Sequence, residues 1–156
     1  MGVSGSGKTT VGEKLAGKMG VPFFDGDDFH PASNKEKMTA GIPLTDEDRQ
    51  VWLDKMNEAA RKHAKLSGAV FACSALKEKY RAVLSSGIEI PCHWVFLQGS
   101  FDLIKKRMEE RKDHFMPPGL LSSQFAALEI PDNSIAIDIT KGPDEIVEMI
   151  ISKIKW

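Results

Sequence analysis

Apolar positions recur along the chain with two periods, one helical and one extended. Behind Lys8, residues Val11, Leu15 and Met19 fall four apart and Gly20 follows as a stop, which predicts an amphipathic helix. "VPFFDGDD" is apolar and then acidic, a short strand feeding a loop. Thr45 with Asp48 three residues on has the capping-box pattern. It opens a helix that carries Trp52, Met56, Ala59 and Ala60 and ends near Gly68. "AVFACSAL" is continuously apolar over five residues, as a parallel strand covered on both faces requires. Ser74 is the expected cap of the next helix, with Leu76, Tyr80, Val83 and Leu84 inward. "HWVFLQG" predicts a further strand, and Ser100 caps a helix from Phe101 to about Arg111. The prolines of "KDHFMPPG" end that helix, and a short one with Leu121, Phe125 and Leu128 follows. "SIAIDIT" is the last predicted strand, and Pro143 opens a closing helix with Ile146, Val147, Ile150 and Ile154. Strands alternate with helices throughout, so the expected class is α/β with a parallel sheet, as one domain over residues 1–156.

Composition narrows the function classes. Of 156 residues, 42% are apolar and 28% charged, with a formal net charge of −1, so no global field draws the chain to nucleic acid or to an anionic membrane. The four histidines have no metal-ligand spacing. Cys73 and Cys92 lie in apolar runs and are expected to be buried free thiols. No signal peptide and no long apolar run is visible, which makes a cytoplasmic location the expectation.

The chemistry begins at "MGVSGSGKTT". Gly2, Val3, Ser4, Gly5, Ser6, Gly7, Lys8, Thr9 and Thr10 have the spacing of a phosphate-cradling loop running into a helix. Glycines let successive backbone N–H groups turn toward one anion, and the helix adds its positive end. Lys8 can reach the β- and γ-phosphates of a nucleotide, and the Thr9 hydroxyl is placed for Mg²⁺. Such a loop names a ligand and leaves the reaction open.

The acceptor side comes from elsewhere. Asp25 and Asp27 of "DGDDFHP" follow a strand, and the carboxyl ends of strands face the ligand crevice in open α/β sheets. Transfer to an alcohol needs a carboxylate to orient the hydroxyl and oxygen ligands for Mg²⁺, jobs this pair can divide. "AVFACSAL" ends without an aspartate, which shifts the metal role to Asp25. Lys77 and Arg81 share a helix face at the mouth of a strand, suited to an anionic group or to plain solvation. Arg107 and Arg111 repeat that spacing before a Pro-bounded segment, about 112–119, that suits a lid excluding water. "ITKGP" is placed to line an adenine, with Arg107 opposite.

Together, "GVSGSGKTT", "DGDDFHP", "NKEKMTAGIPLTDEDRQVWL", "CSALKEKYR" and "HFMPPGLLSSQFAALE" resemble the gluconokinase family of small phosphate-loop carbohydrate kinases. The resemblance implies ATP-dependent phosphorylation of D-gluconate at its 6-hydroxyl, with Mg²⁺, in a nucleoside-kinase-like fold of strand order 2-3-1-4-5. By position it puts Lys8, Asp27 and Arg111 in the catalytic group and Thr9 and Asp25 on the metal. Asp27, His30, Arg49, Lys77, Arg81, His114 and Gln124 fall on the gluconate side, and Arg107 with the phosphate loop on the nucleotide. It also implies a homodimer. Shikimate kinase is the neighbouring alternative; that family has a glycine-rich turn where this chain has "CSALK".

The family carries a strand before the phosphate loop, and here only Met1 stands before Gly2. Two expectations follow. The sequence is a piece of a longer chain, or it is a weakened relative serving as a nucleotide-binding or dimerising module. Without that strand the loop is expected to be hinged at a free amine rather than clamped.

Overall fold

The helical period behind Lys8 becomes α1, Lys8–Met19, in the computed structural model, which describes residues 1–110 and 118–154. Val11, Leu15 and Ala16 are its buried stripe, and the Gly20 N–H closes it on Ala16 O. β1, Phe23–Asp25, runs into a 3₁₀ turn at Gly26–Phe29. Then come α2, Ala32–Thr39, and α3, Asp46–Ala64. The Thr45–Asp48 capping box is formed in both directions. β2 is Val70–Ala72, α4 Glu78–Ser85, β3 Val95–Gln98 and α5 Phe101–Glu110. α6 is Pro118–Ala127, β4 Ile135–Asp138 and α7 Pro143–Lys153, with Pro143 at its first turn.

All strand pairing is parallel among the described residues, but it falls into two halves. β1 pairs with β2, Phe24 opposite Phe71, and β3 pairs with β4, Phe96 opposite Ala136. Adjacent residues of β3 face opposite ways, as a strand requires. Leu97 joins a core with Val11, Leu15, Ile137, Val147 and Ile150, under α1 and α7. Phe96 joins another with Trp52, Met56, Tyr80 and Leu84, under α3 and α4.

The chain's opening corrects one expectation. Met1 and Val3 are buried, at 9% and 2% exposed. The Met1 amine donates to Val95 O at 2.5 Å, Leu97 N–H donates to Met1 O at 3.0 Å, and Gly2 N–H donates to Ser74 O at 3.2 Å. The loop is therefore tied to β3 through Met1 and to the segment after β2 through Gly2. Burial lowers the amine's pKa to about 6.

Three local expectations also change. Ser74 does not cap α4; Lys77 stands at the cap position, because the chain first turns at Ala75, whose φ is 44°. Cys73 is buried but Cys92 is exposed, lying in the loop ahead of β3 rather than in the strand. α2 was not foreshadowed: its residues carry no apolar stripe, and the buried one is Asn34.

Candidate active site

The phosphate loop is built by glycines at two kinds of position. Gly7, at the cap of α1, has φ 91° with open space around it, so its need is conformational. Gly5 has φ 79°, and a Cβ there would meet Met108 Cγ at 2.8 Å, so its need is also close packing on α5. Lys8 Nζ donates to Val3 O at 2.9 Å, folding back over the loop. Ser6 Oγ is buried and has no hydrogen-bond partner among the described residues.

β1 delivers the acidic turn to this loop. Thr9 Oγ1 donates to Asp25 Oδ2 at 2.7 Å, while Asp25 Oδ1 accepts from Asp27 N–H at 3.0 Å. One carboxylate thus spans the helix start and the 3₁₀ turn. Burial raises the pKa of Asp27, and the adjacent Asp25 raises it further, against the pull of Lys8. A groove of about 530 Å³, lined by Thr9, Glu13, Asp25, Asp27 and Phe29, opens beside the pair. Hydroxyl and carboxylate oxygens side by side are a donor set for a hard divalent cation, and a glycine loop with a lysine fits phosphate oxygens.

A tryptophan holds the acidic turn. Trp52 Nε1 donates to Gly26 O at 2.7 Å in a buried bond. His30 stacks on the same indole, ring centroids 4.5 Å apart and planes at 11°. Its Nδ1 lies 3.2 Å from Asn34 Nδ2, and Asn34 in turn donates to Asp48 O at 2.7 Å. Burial, with Arg49 and Lys35 nearby, lowers the His30 pKa to about 4, so the ring is neutral at pH 7.

A cationic corner forms at the Tyr80 ring. The Arg49 guanidinium lies 5.5 Å and Lys77 Nζ 5.7 Å from the ring centroid. Asp46 anchors the corner, accepting from Tyr80 Oη and pairing with Lys79, with Lys77 Nζ at 3.7 Å. Burial and the Asp46 hydrogen bond push the Tyr80 pKa up to about 12. Arg49 also donates to Leu44 O and, at 3.2 Å, to Thr45 O.

Other expected residues have different surroundings. Arg81 is 3% exposed, and its guanidinium donates to Ala75 O at 2.8 Å, Leu76 O at 3.2 Å and Glu78. It braces the turn after β2 instead of sharing an open face with Lys77. Gln124 on α6 reaches the phosphate loop itself, where its Oε1 accepts from Ser4 N–H at 2.7 Å. Arg107 donates to Ile139 O at 2.6 Å, which brings it beside "ITKGP". Arg111 and His114 lie outside the described residues, as does the expected lid apart from Pro118 and Gly119, which begin α6.

Sequence reasoning missed Trp52, Asn34 and Tyr80 as parts of the site. Trp52 and Tyr80 read as core because both sit on apolar helix stripes. Asn34 did carry a signal, a polar residue in a segment without any stripe, but its partner Asp48 is 14 residues away.

Comparisons with known proteins converge on one group. The shikimate kinase family model matches residues 4–129. The probable gluconokinase of Dictyostelium discoideum is 44% identical over 168 residues, covering 99% of this chain and 84% of its own. The thermosensitive gluconokinase of Escherichia coli is 45% identical over 153 residues, with 95% and 81% covered. The crystal structure of a gluconokinase from Sinorhizobium meliloti superposes with a TM-score of 0.88 at 42% identity, covering 97% of this chain and 87% of that one.

Proposed function

Because the chain belongs to the gluconokinase family, within the shikimate-kinase-like phosphate-loop kinases, we propose that it transfers the γ-phosphoryl group of ATP to the 6-hydroxyl of D-gluconate. The observation that carries the reading is the junction of Thr9, Asp25 and Asp27 at the mouth of the phosphate loop. Loop amides and Lys8 bind the phosphates, and the positive end of α1 adds to them. Thr9 and Asp25 hold Mg²⁺, which when bound offsets charge on the phosphate oxygens.

Asp27 orients the acceptor. Its carboxylate accepts the hydrogen bond of the 6-hydroxyl and takes its proton as the new O–P bond forms and the β–γ bridging bond breaks. A raised pKa suits that step, because a base nearer the working pH is the stronger acceptor. Arg49 and Lys77 receive the gluconate carboxylate. Neutral His30, its Nδ1 taken by Asn34 and its ring stacked on Trp52, offers Nε2–H to a polyol oxygen. Arg81 and Gln124 act by positioning, one behind the turn after β2 and one on the loop. Arg107 flanks the base.

Phosphorus NMR tests the assignment. ATP, Mg²⁺ and D-gluconate with this chain are expected to yield one phosphomonoester coupled to the two C6 protons. Lys8→Ala is expected to abolish it. A product phosphorylated at another carbon, or ADP with free phosphate alone, contradicts the reading.

A further inference from the structure

Asn34 is a polar side chain only 2% exposed, on a helix that has no apolar stripe. A buried amide is costly unless its bonds are made, so its partners define what it does. Its Nδ2 donates to Asp48 O at 2.7 Å and lies 3.2 Å from His30 Nδ1. α2, α3 and the turn after β1 meet at this one nitrogen. Asp48 is held on its own account. Its carboxylate accepts from Lys37 Nζ at 2.7 and 2.9 Å and closes the capping box with Thr45. The carbonyl that Asn34 reaches is therefore fixed.

That geometry decides where the protons sit. A carbonyl oxygen only accepts, so the NH₂ end of the amide faces Asp48, not its oxygen. An amide nitrogen has two hydrogens and no lone pair to offer. Its second hydrogen goes to His30 Nδ1, which must then be bare. A neutral imidazole carries one proton, and it is left on Nε2. A doubly protonated ring would set N–H against N–H, and Arg49 and Lys35 nearby oppose a further positive charge. Turning the ring over on the Trp52 indole, 4.5 Å away, would put a C–H before the amide and strand its hydrogen. Nε2 has no hydrogen-bond partner among the described residues. One ring nitrogen is thus spent inside the protein, and the N–H of the other is left for a ligand.

We propose that Asn34 is a positioning residue of the acceptor site: it fixes His30 as the Nε2–H tautomer, so that this corner donates only and reads a lone pair on a hydroxyl or carboxylate oxygen of the acceptor. The identity of that acceptor, gluconate, rests on the kinase reading above; the tautomer does not. The amide acts through the ring. Without it both tautomers form, and one of them turns a bare nitrogen toward the ligand oxygen. The cost falls on acceptor binding, because the phosphate loop holds the nucleotide.

The test is long-range proton–nitrogen NMR of the ¹⁵N-labelled 156-residue chain at pH 7, with His30 assigned by its loss in His30→Gln. The free protein is expected to show a protonated Nε2 and a bare Nδ1. The other tautomer, a mixture or a doubly protonated ring would overturn the proposal, and this result needs no variant of Asn34 to fold. Saturating D-gluconate with ADP and Mg²⁺ is expected to shift Nε2 and its proton, and no shift would overturn the proposal too. Asn34→Leu keeps the bulk and removes the amide. It is expected to mix the tautomers and to raise KM for gluconate roughly fivefold to tenfold, the worth of one hydrogen bond, with kcat and KM for ATP within about twofold. A pure Nε2–H tautomer in that variant would make Asn34 a packing residue only. A gluconate-dependent shift without phosphoryl transfer would contradict the kinase reading and leave this proposal standing; transfer with a bare Nε2 would do the reverse.

Discussion

Asp27 is the side chain on which the chemistry turns. It sits exposed beside Asp25, with its pKa raised by partial desolvation and by that neighbour. Asp27→Asn keeps the shape and removes the proton acceptor. We expect kcat to fall by about 10²–10⁴, the range of general-base catalysis, with KM for gluconate within threefold; steady-state kinetics checks this. A fall in KM affinity with kcat intact would make Asp27 a binding residue only. His30 gives a prediction about pH. Its folded pKa is about 4, below the ordinary histidine value of 6.5. The unfolded chain therefore takes up a proton near 6.5 that the folded chain refuses until about 4. Stability from this residue is complete above pH 6.5 and is lost as pH falls through that window. Imidazole NMR should find His30 neutral at pH 5, and His30→Gln should flatten the acid side of a stability profile. The sequence made Lys8, Thr9, Asp25 and Asp27 legible because one loop and one turn hold them. Arg81 was harder to read: spacing put it on the face of Lys77, but the left-handed turn at Ala75 swings it inward to brace carbonyls.

Helices with a stripe and a cap could be read from the chain, and those without could not. α1, α3 and α7 have both, and their bounds follow from Gly20, Thr45 and Pro143. α2 has neither, and is held by Asn34 reaching Asp48 O, a contact between elements. The same kind of contact ties α3 to the acidic turn, through Trp52 and Gly26 O. Trp52→Phe keeps most of the packing and strands that carbonyl. We expect a stability loss of about 1–3 kcal/mol by chemical denaturation. Gluconate turnover should fall further than ATP affinity, because the freed turn carries Asp25 and Asp27. Unchanged turnover with lost stability would make the indole a core residue alone.

The whole molecule is two parallel half-sheets with a phosphate loop rooted between them. The alternation of strands and helices announced that class, while the register of each pair, set 47 and 40 residues apart for Phe24–Phe71 and Phe96–Ala136, has no local signal. The bonds of Met1 to β3 and of Gly2 to Ser74 were equally unreadable, since they depend on where β2 and β3 stand. The acidic turn and Thr9, at the start of α1, line one groove. Among the described residues no helix is long and apolar enough to cross a membrane. The most direct measurement is ADP release by the 156-residue chain with ATP and Mg²⁺, with D-gluconate, with shikimate and with neither. The account predicts turnover that requires gluconate and ignores shikimate. Turnover with shikimate, or none with gluconate, would contradict it.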